Sequence, residues 1–353
     1  MYSRSITIPP KKLVENNKAY FGSFAELPPS IDIIGLKTPF GGFPLPSFLT
    51  KLRIRSNFTH ICFSENYTIV LGILDAKIFA YSEIVVWNNK TGQKYAYRNV
   101  TGIRRRVVPK NLEQMRCRSK NSKRDISIYW NTEKNTLSVS LFAKGDSYRP
   151  EIQLKLSNKP QEKFLTASFC IPAPIKNRCC ASAQIFTSLQ GTMELSFKNK
   201  PKEIHTLTSD NFFDIRRFYC PFRTYTSYLM GFGTYKDKKV FFRITDSNIL
   251  ATDSYSYNEN FLYYDNQLTL LPPVKITQPQ GTMGKWVIQD TESMIDLSFM
   301  PVSDNMRKMS LVIIHTEYHC IKGNFSGALV TQDGEEILLK DFSGIIRKVR
   351  LRF

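Results

Sequence analysis

The sequence has no run that could serve as a membrane-spanning helix or a secretory leader. Its most apolar stretch, Ile69 to Val86, is interrupted by Asp75, Lys77 and Glu83, which a spanning helix does not tolerate. The first residues, Met1 to Lys12, contain no apolar core, so no signal peptide is expected. Cysteine is sparse and unpatterned: seven occur, an odd number, with no C-x-x-C pair and with Cys179 and Cys180 adjacent. That excludes a disulfide framework and fits reduced thiols in a cytoplasmic protein. The Asn-x-Ser/Thr sites at Asn57, Asn66, Asn89, Asn99 and Asn324 then carry no meaning. A G-x-S-x-G elbow, a glycine-rich phosphate loop and any strand–helix alternation are also missing. Dinucleotide-binding enzymes, kinases and α/β-hydrolases are thereby set aside.

What the chain does have is alternation with period two. Ile126, Ile128 and Trp130 alternate with Ser127 and Tyr129; Leu137, Val139 and Leu141 with serines; Ile152, Leu154 and Leu156 with Gln153 and Lys155; Ile295, Leu297 and Phe299 with Asp296 and Ser298. Each pattern puts apolar groups on one face of a strand and polar groups on the other. Turn chemistry falls between such runs, at Asn88 to Gly92, Asp237-Lys238, Asp265-Asn266 and, most clearly, Asp333-Gly334. The 353 residues are 42% hydrophobic and include 25 Phe, 17 Tyr and 3 Trp, enough for a large β-rich core. The expected fold is all-β and antiparallel. Residues 1–47, rich in Pro and Gly, are expected to form an extended arm across a surface.

The charge is one-sided, 49 Lys and Arg against 30 Asp and Glu. It is also concentrated. The window from Lys94 to Arg124 carries eleven basic residues and one acid, Glu113, and reads as an irregular basic flap. Arg104, Arg105, Arg106, Arg116, Arg118 and Arg124 are its candidates for contact with an anionic surface. Stacking aromatics are missing across Arg98–Arg124, so nucleic acid is not the expected partner. Anionic lipid headgroups fit better, as a peripheral contact at the inner membrane face. The closing run Arg347 to Phe353 alternates cations with apolar groups and reads as an edge strand with its cations in water.

The order of several short motifs resembles a bacterial family described only as a domain of unknown function, number two-eight-zero-four. They are Phe21-Gly22-Ser23-Phe24, Leu52 to Phe58, Tyr67 to Asp75, Asp214-Ile215-Arg216-Arg217-Phe218-Tyr219-Cys220-Pro221-Phe222-Arg223-Thr224, Glu259-Asn260, Gly323-Asn324-Phe325-Ser326-Gly327, and the closing Gly344-Ile345-Ile346. The resemblance implies two consecutive lipocalin-like (calycin-type) barrels or half-barrels, similar in layout to the carotenoid-hydratase proteins. The domains expected are 48–250 and a smaller 251–353. The chain departs from the family where a Lys-Glu-Trp motif is missing near Arg55 and where Arg347-Lys348-Val349 stands in place of Glu-Asp-His. Acid–base chemistry from that terminal cluster is therefore not expected here.

Asp214 and Arg223 flank a bend at Pro221 and are read as a pair that could orient a ligand or close the barrel. Glu259 lies among Tyr255, Tyr257, Phe261, Tyr263 and Tyr264, where an acid can be held protonated. Asp214 and Glu259 are the catalytic candidates; Arg223, Asn260, Tyr225, Tyr228 and Phe325 are the ligand-binding candidates. His315 and His319 lie four apart on a strand, ~13 Å along it, too far for one ion, so neither metal nor cofactor is expected. The leading expectation is a β-barrel that binds an apolar or amphipathic small molecule such as a lipid or isoprenoid. The alternatives are a hydratase or cyclase on isoprenoid substrates, and a carbohydrate-binding or glycan-processing β-sandwich with exposed Tyr255, Tyr257 and Tyr263.

Overall fold

The computed structural model describes every residue except 1, 42, 78, 103–106, 161–163, 311–314 and 353. The alternating segments all form strands, and a single short helix, Ser47–Leu52, is present among the described residues. No described helix is long and apolar enough to cross a membrane.

Two large, curled antiparallel sheets follow one another along the chain. The first begins as a meander of Ile54–Ser64, Tyr67–Asp75, Ala80–Asn88 and Lys94–Thr101. It ends in the long hairpin Cys179–Ser196 with Glu203–Tyr219, onto which Ile54–Ser64 docks. The second repeats that plan. The meander Arg223–Tyr235, Lys238–Ser247, Phe261–Tyr264 and Gln267–Leu270 docks by its first strand onto the last strand of the long hairpin His315–Val330 with Glu336–Arg352. In both halves the hairpin's first strand carries two partners end to end. These are Leu165–Pro172 and Glu151–Ser157 in the first, and Arg307–Ser310 and Ile295–Asp304 in the second.

The molecule is thus two consecutive lipocalin-like half-barrels. The chain changes sheet at Cys220-Pro221-Phe222, whereas the sequence reading divided it near 250, inside the second meander. The pattern of Lys238–Ser247 shows a strand but not the sheet that owns it.

Two glycines mark equivalent places in the repeat. A Cβ on Gly191 would lie 1.9 Å from the Lys155 carbonyl oxygen, and one on Gly327 would lie 2.1 Å from that of Asp296. In each long hairpin the neighbouring strand approaches too closely for a side chain. Gly191→Ala and Gly327→Ala should each lower stability by about 1–3 kcal/mol by overpacking. Thermal unfolding reads this, and an unchanged Tm in both would show that the strands part freely.

Apolar side chains gather in three clusters, one inside each half-barrel and one between them. Alternation explains the division: along Cys179–Ser196, Ala181, Ala183 and Ile185 face the first interior, while Cys180 and Phe186 face the second sheet. The N-terminal segment is more than a surface arm. Leu13, Ile31 and Ile33 are buried in the first core, Gly22–Phe24 pairs with Leu165–Pro172, and Arg4 donates to Asn258 of the second half. The closing run is not an edge either, because Glu336–Arg352 is paired on both sides.

Inside the first half-barrel, His60 is fully buried and stacked on Phe213 at 4.4 Å. Its Nε2 lies 2.8 Å from Asn211 Oδ1. Asn211 spends its amide N–H groups on Ser209, so its Oδ1 accepts and Nε2 is the protonated nitrogen. The other nitrogen, Nδ1, finds no partner among the described residues.

Candidate functional site between the half-barrels

The cluster between the sheets has a polar centre. On Glu203–Tyr219, Asp214 and Arg216 are two apart and so share the face turned to the second sheet, and Ser182 and Gln184 do the same on the neighbouring strand. From the second sheet come Tyr228 and Arg243, and from the loop before Phe261–Tyr264 comes Glu259. All seven are buried.

Arg216 is the hub. Its Nε donates to Asp214 Oδ2 at 3.3 Å, its Nη1 to the Tyr228 hydroxyl at 2.9 Å, and its Nη2 to Glu259 Oε2. Arg243 donates to the Glu259 carbonyl at 3.0 Å and to its carboxylate at 3.3 Å. Ser182 donates to the other Glu259 oxygen, and Gln184 to Asp214 at 2.8 Å. The Arg216 guanidinium also lies 4.3 Å from the Tyr228 ring centroid, a cation–π contact.

Two carboxylates and two guanidiniums leave the group neutral. Burial pushes the Glu259 carboxyl up, and the Arg216 guanidinium and Ser182 hydroxyl pull against it. Burial likewise works against the charge on Arg216, but Glu259, Tyr228 and Asp214 outweigh it and hold Arg216 well above the ordinary range. Burial raises the Tyr228 phenol. The arrangement clamps one half-barrel to the other through charges that each find a partner.

Arg347 extends the polar interface, donating to the Tyr318 hydroxyl at 3.0 Å and to Thr59 of the first sheet. Its Nη2 packs over Gly72, 3.4 Å from where a Cβ would stand, an ordinary van der Waals distance. The cation that replaces the expected terminal acid is thus half-buried and reaches across to the other half-barrel.

A pocket of about 250 Å³ opens at one end of the same interface. Its walls are Leu165 and Phe186 from the first sheet and Phe241 and Tyr263 from the second. Its rim is Asp237, Lys238, Lys239, Asp265 and Asn266. The rim consists of two tight hairpin turns, with Lys236 and Asp237 at φ 50° and 61° and Asp265 and Asn266 at 50° and 62°. This is the left-handed geometry of a type I′ turn. Lys238 pairs with Asp265 at 2.7 Å, and Lys239 pairs with Asp210 at 2.6 Å. Along their strands, Phe241 is two residues from Arg243 and Phe186 two from Gln184, roughly 6.6 Å in each case. The aromatic walls of the pocket and the polar centre therefore lie on one continuous inter-sheet face.

Of the sequence candidates, Asp214, Glu259 and Tyr228 converge here. Arg223 does not: it is exposed, and Asp214 takes Arg216 in its place, since the bend at Pro221 carries Arg223 into the next sheet. Tyr225 is 49% exposed. Asn260 is buried but holds backbone, accepting from Thr245 N–H and donating to the Pro272 carbonyl. Phe325 is in the core of the second half-barrel, 4.6 Å from Phe299 and 5.0 Å from Phe242, and reaches no pocket between the sheets.

The basic window is not a flap, because strands Lys94–Thr101 and Gln114–Asn121 run through it. Arg124 is buried and donates to Ser82; Arg116 is exposed, and Arg118 pairs with Asp125 at 3.4 Å. Arg104, Arg105 and Arg106 lie outside the described residues. Tyr263 is buried, so Tyr255, Tyr257 and Tyr263 form no exposed row. Arg216, Arg243, Ser182 and Gln184 were missed. A lone cation inside the apolar run Val240 to Ile244, and an Asp-x-Arg pair on one strand face, were the available signals.

The fold is that of an all-β protein built from two consecutive half-barrel sheets. The chain belongs to the family described as a domain of unknown function (DUF2804), matched over residues 49–353. Among curated proteins, none matches the chain by sequence. Similar solved structures include an AttH from Nitrosomonas europaea, with 8% identity, TM-score 0.47, and coverage of 88% of this chain and 97% of that one. Kievitone hydratase from Nectria haematococca has 10% identity, TM-score 0.42, and coverage of 85% and 88%. CghA with Sch210972 has 11% identity, TM-score 0.44, and coverage of 92% and 95%.

Proposed function

We propose that the protein binds an apolar or amphipathic small molecule, of lipid or isoprenoid kind, in the pocket between the half-barrels. The observation that carries this reading is the juxtaposition of aromatic walls at Phe186, Phe241 and Tyr263 with a charged rim at Lys238, Lys239 and Asp265. A concavity with aromatic walls and a charged mouth suits a ligand with a greasy body and a polar end. Both half-barrel interiors hold apolar side chains, from Trp130 and Leu154 in the first to Trp286 and Phe325 in the second, which favours the interface as the binding place. Native mass spectrometry of the purified protein should show a co-purifying apolar species that organic extraction removes. A protein of unliganded mass that also takes up no added farnesol or oleate would oppose the reading.

A second reading, a hydratase or cyclase, draws on the convergence of Asp214, Glu259 and Tyr228 on one guanidinium. Shared acid–base work needs groups within hydrogen-bond or one-water reach. An isoprenoid alkene incubated in ¹⁸O-water should then gain a labelled hydroxyl, and Asp214→Asn should stop it. Labelling no faster than in buffer would reject catalysis.

A further inference from the structure

Around the helix Ser47–Leu52, large apolar side chains stand in water. Phe43 is 87% exposed, Phe48 62% and Phe222 66%, with Leu45, Leu49 and Leu52 also exposed. Phe48, Leu49 and Leu52, three and four residues apart, share one side of the helix, and Phe43 and Leu45 precede it directly in the chain. Arg53 ties Phe222 to this segment, its guanidinium 4.1 Å from the Phe40 ring and 4.7 Å from that of Phe222. Arg178 also lies on the Phe40 ring, 4.4 Å from its centroid, and donates to the Pro39 carbonyl.

The charge on these segments has one sign. Residues 34–55, 171–182 and 215–235 contain no Asp or Glu at all. They supply exposed Lys51, Lys176 and Arg223, with Arg53 and Arg55 partly exposed. Exposed apolar groups of this extent mark an interaction site. Aromatic and leucine tips ringed by cations, with no acid among them, match the boundary between acyl chains and anionic headgroups.

We propose that the protein docks on anionic phospholipid bilayers through this surface, with Phe43, Phe48 and Phe222 entering the headgroup region and Lys51, Lys176 and Arg223 meeting lipid phosphates. The contact is separate from the basic window that the sequence singles out. It also lies apart from the pocket between the half-barrels, so it stands whether or not that pocket takes a ligand.

Flotation with vesicles of phosphatidylcholine containing about one-third phosphatidylglycerol tests it, using the full chain. The intact protein should float with these vesicles and much less with pure phosphatidylcholine. Phe43→Ser with Phe48→Ser should weaken binding at least about tenfold, given the loss of two buried aromatic groups. Lys51→Gln and Lys176→Gln should each weaken it by about fivefold. All four sites are exposed, so the variants should keep the wild-type Tm, and Arg116→Glu, on the first sheet, should bind as wild type does. A spectroscopic arm is available because Trp87, Trp130 and Trp286 are fully buried. In Phe48→Trp the emission should shift to the blue on adding anionic vesicles.

The proposal is overturned if the intact protein ignores anionic vesicles, or if Arg116→Glu abolishes binding while the phenylalanine variants keep it. It is also overturned if light scattering shows the surface to be a contact between copies of the chain, lost in Phe48→Ser with no change in vesicle binding.

Discussion

Replacing Arg216 by methionine should destabilise the protein by about 3–5 kcal/mol, the cost of leaving buried carboxylates without their counter-charge. Asp214, Glu259 and the Tyr228 hydroxyl all rely on that one guanidinium. Water cannot replace it at Glu259, since Arg216 and Glu259 are 1% and 0% exposed, and Asp214 is itself buried. Arg216→Lys keeps the charge but not the planar fork, and should fall between wild type and Arg216→Met. Urea unfolding measures the loss. A double-mutant cycle with Glu259→Gln should return a coupling of about 0.5–3 kcal/mol, as groups in one network do. A cost below about 1 kcal/mol for Arg216→Met would contradict the clamp, because that is the size expected of an exposed pair.

The second large effect is a loss of stability in acid, carried by His60. Burial lowers its pKa to about 4, with the Asn211 hydrogen bond acting in the other direction. The unfolded value is near 6.5, so the folded state binds fewer protons between pH 6.5 and 4. Stability from the neutral ring is therefore complete above pH 6.5 and is lost as the pH falls toward 4. At one pKa unit per 1.36 kcal/mol, the loss from this group is roughly 2 kcal/mol at pH 5 and roughly 3 kcal/mol near pH 4. His60→Gln, which can still donate to Asn211, should remove this part of the pH dependence even if its stability at pH 7 is lower. Equal slopes for both proteins between pH 6.5 and 5 would show that His60 is free to charge in place.

Much of the fold was legible because strand alternation and turn chemistry are local. The runs at Ile126, Leu137, Ile152 and Ile295 are strands, and Asp333-Gly334 closes the long second hairpin with Gly334 at φ 86°. The rim of the pocket was visible only as two turns, Asp237-Lys238 and Asp265-Asn266. Their meeting depends on which strands pair, and alternation carries no such information.

The polar centre was half legible. Asp214 and Glu259 were found by type and surroundings, but the partner chosen for Asp214 was Arg223, close in sequence, and not Arg216 on its own strand face. Along Cys179–Leu189 nearly every residue is buried. With both faces covered, alternation does not say which one meets the half-barrel interior and which meets the other sheet. Arg124 and Arg347 misled for a related reason. A cation in a basic run reads as solvated, yet each is drawn inside by oxygen partners from distant strands, Ser82 for Arg124 and Thr59 and Tyr318 for Arg347.

The proposed ligand, a small apolar or amphipathic molecule, would occupy the space between the half-barrels. Leu165 is a half-buried wall residue at the pocket, opposite Phe186 in the strand register, so Leu165→Trp fills the space from the rim with little disturbance of the core. Native mass spectrometry of the two proteins with farnesol or oleate is the direct comparison. The wild type should carry one molecule per chain, and Leu165→Trp, folded to the same Tm, should carry none. Equal loading of both proteins, or of neither, would contradict the claim.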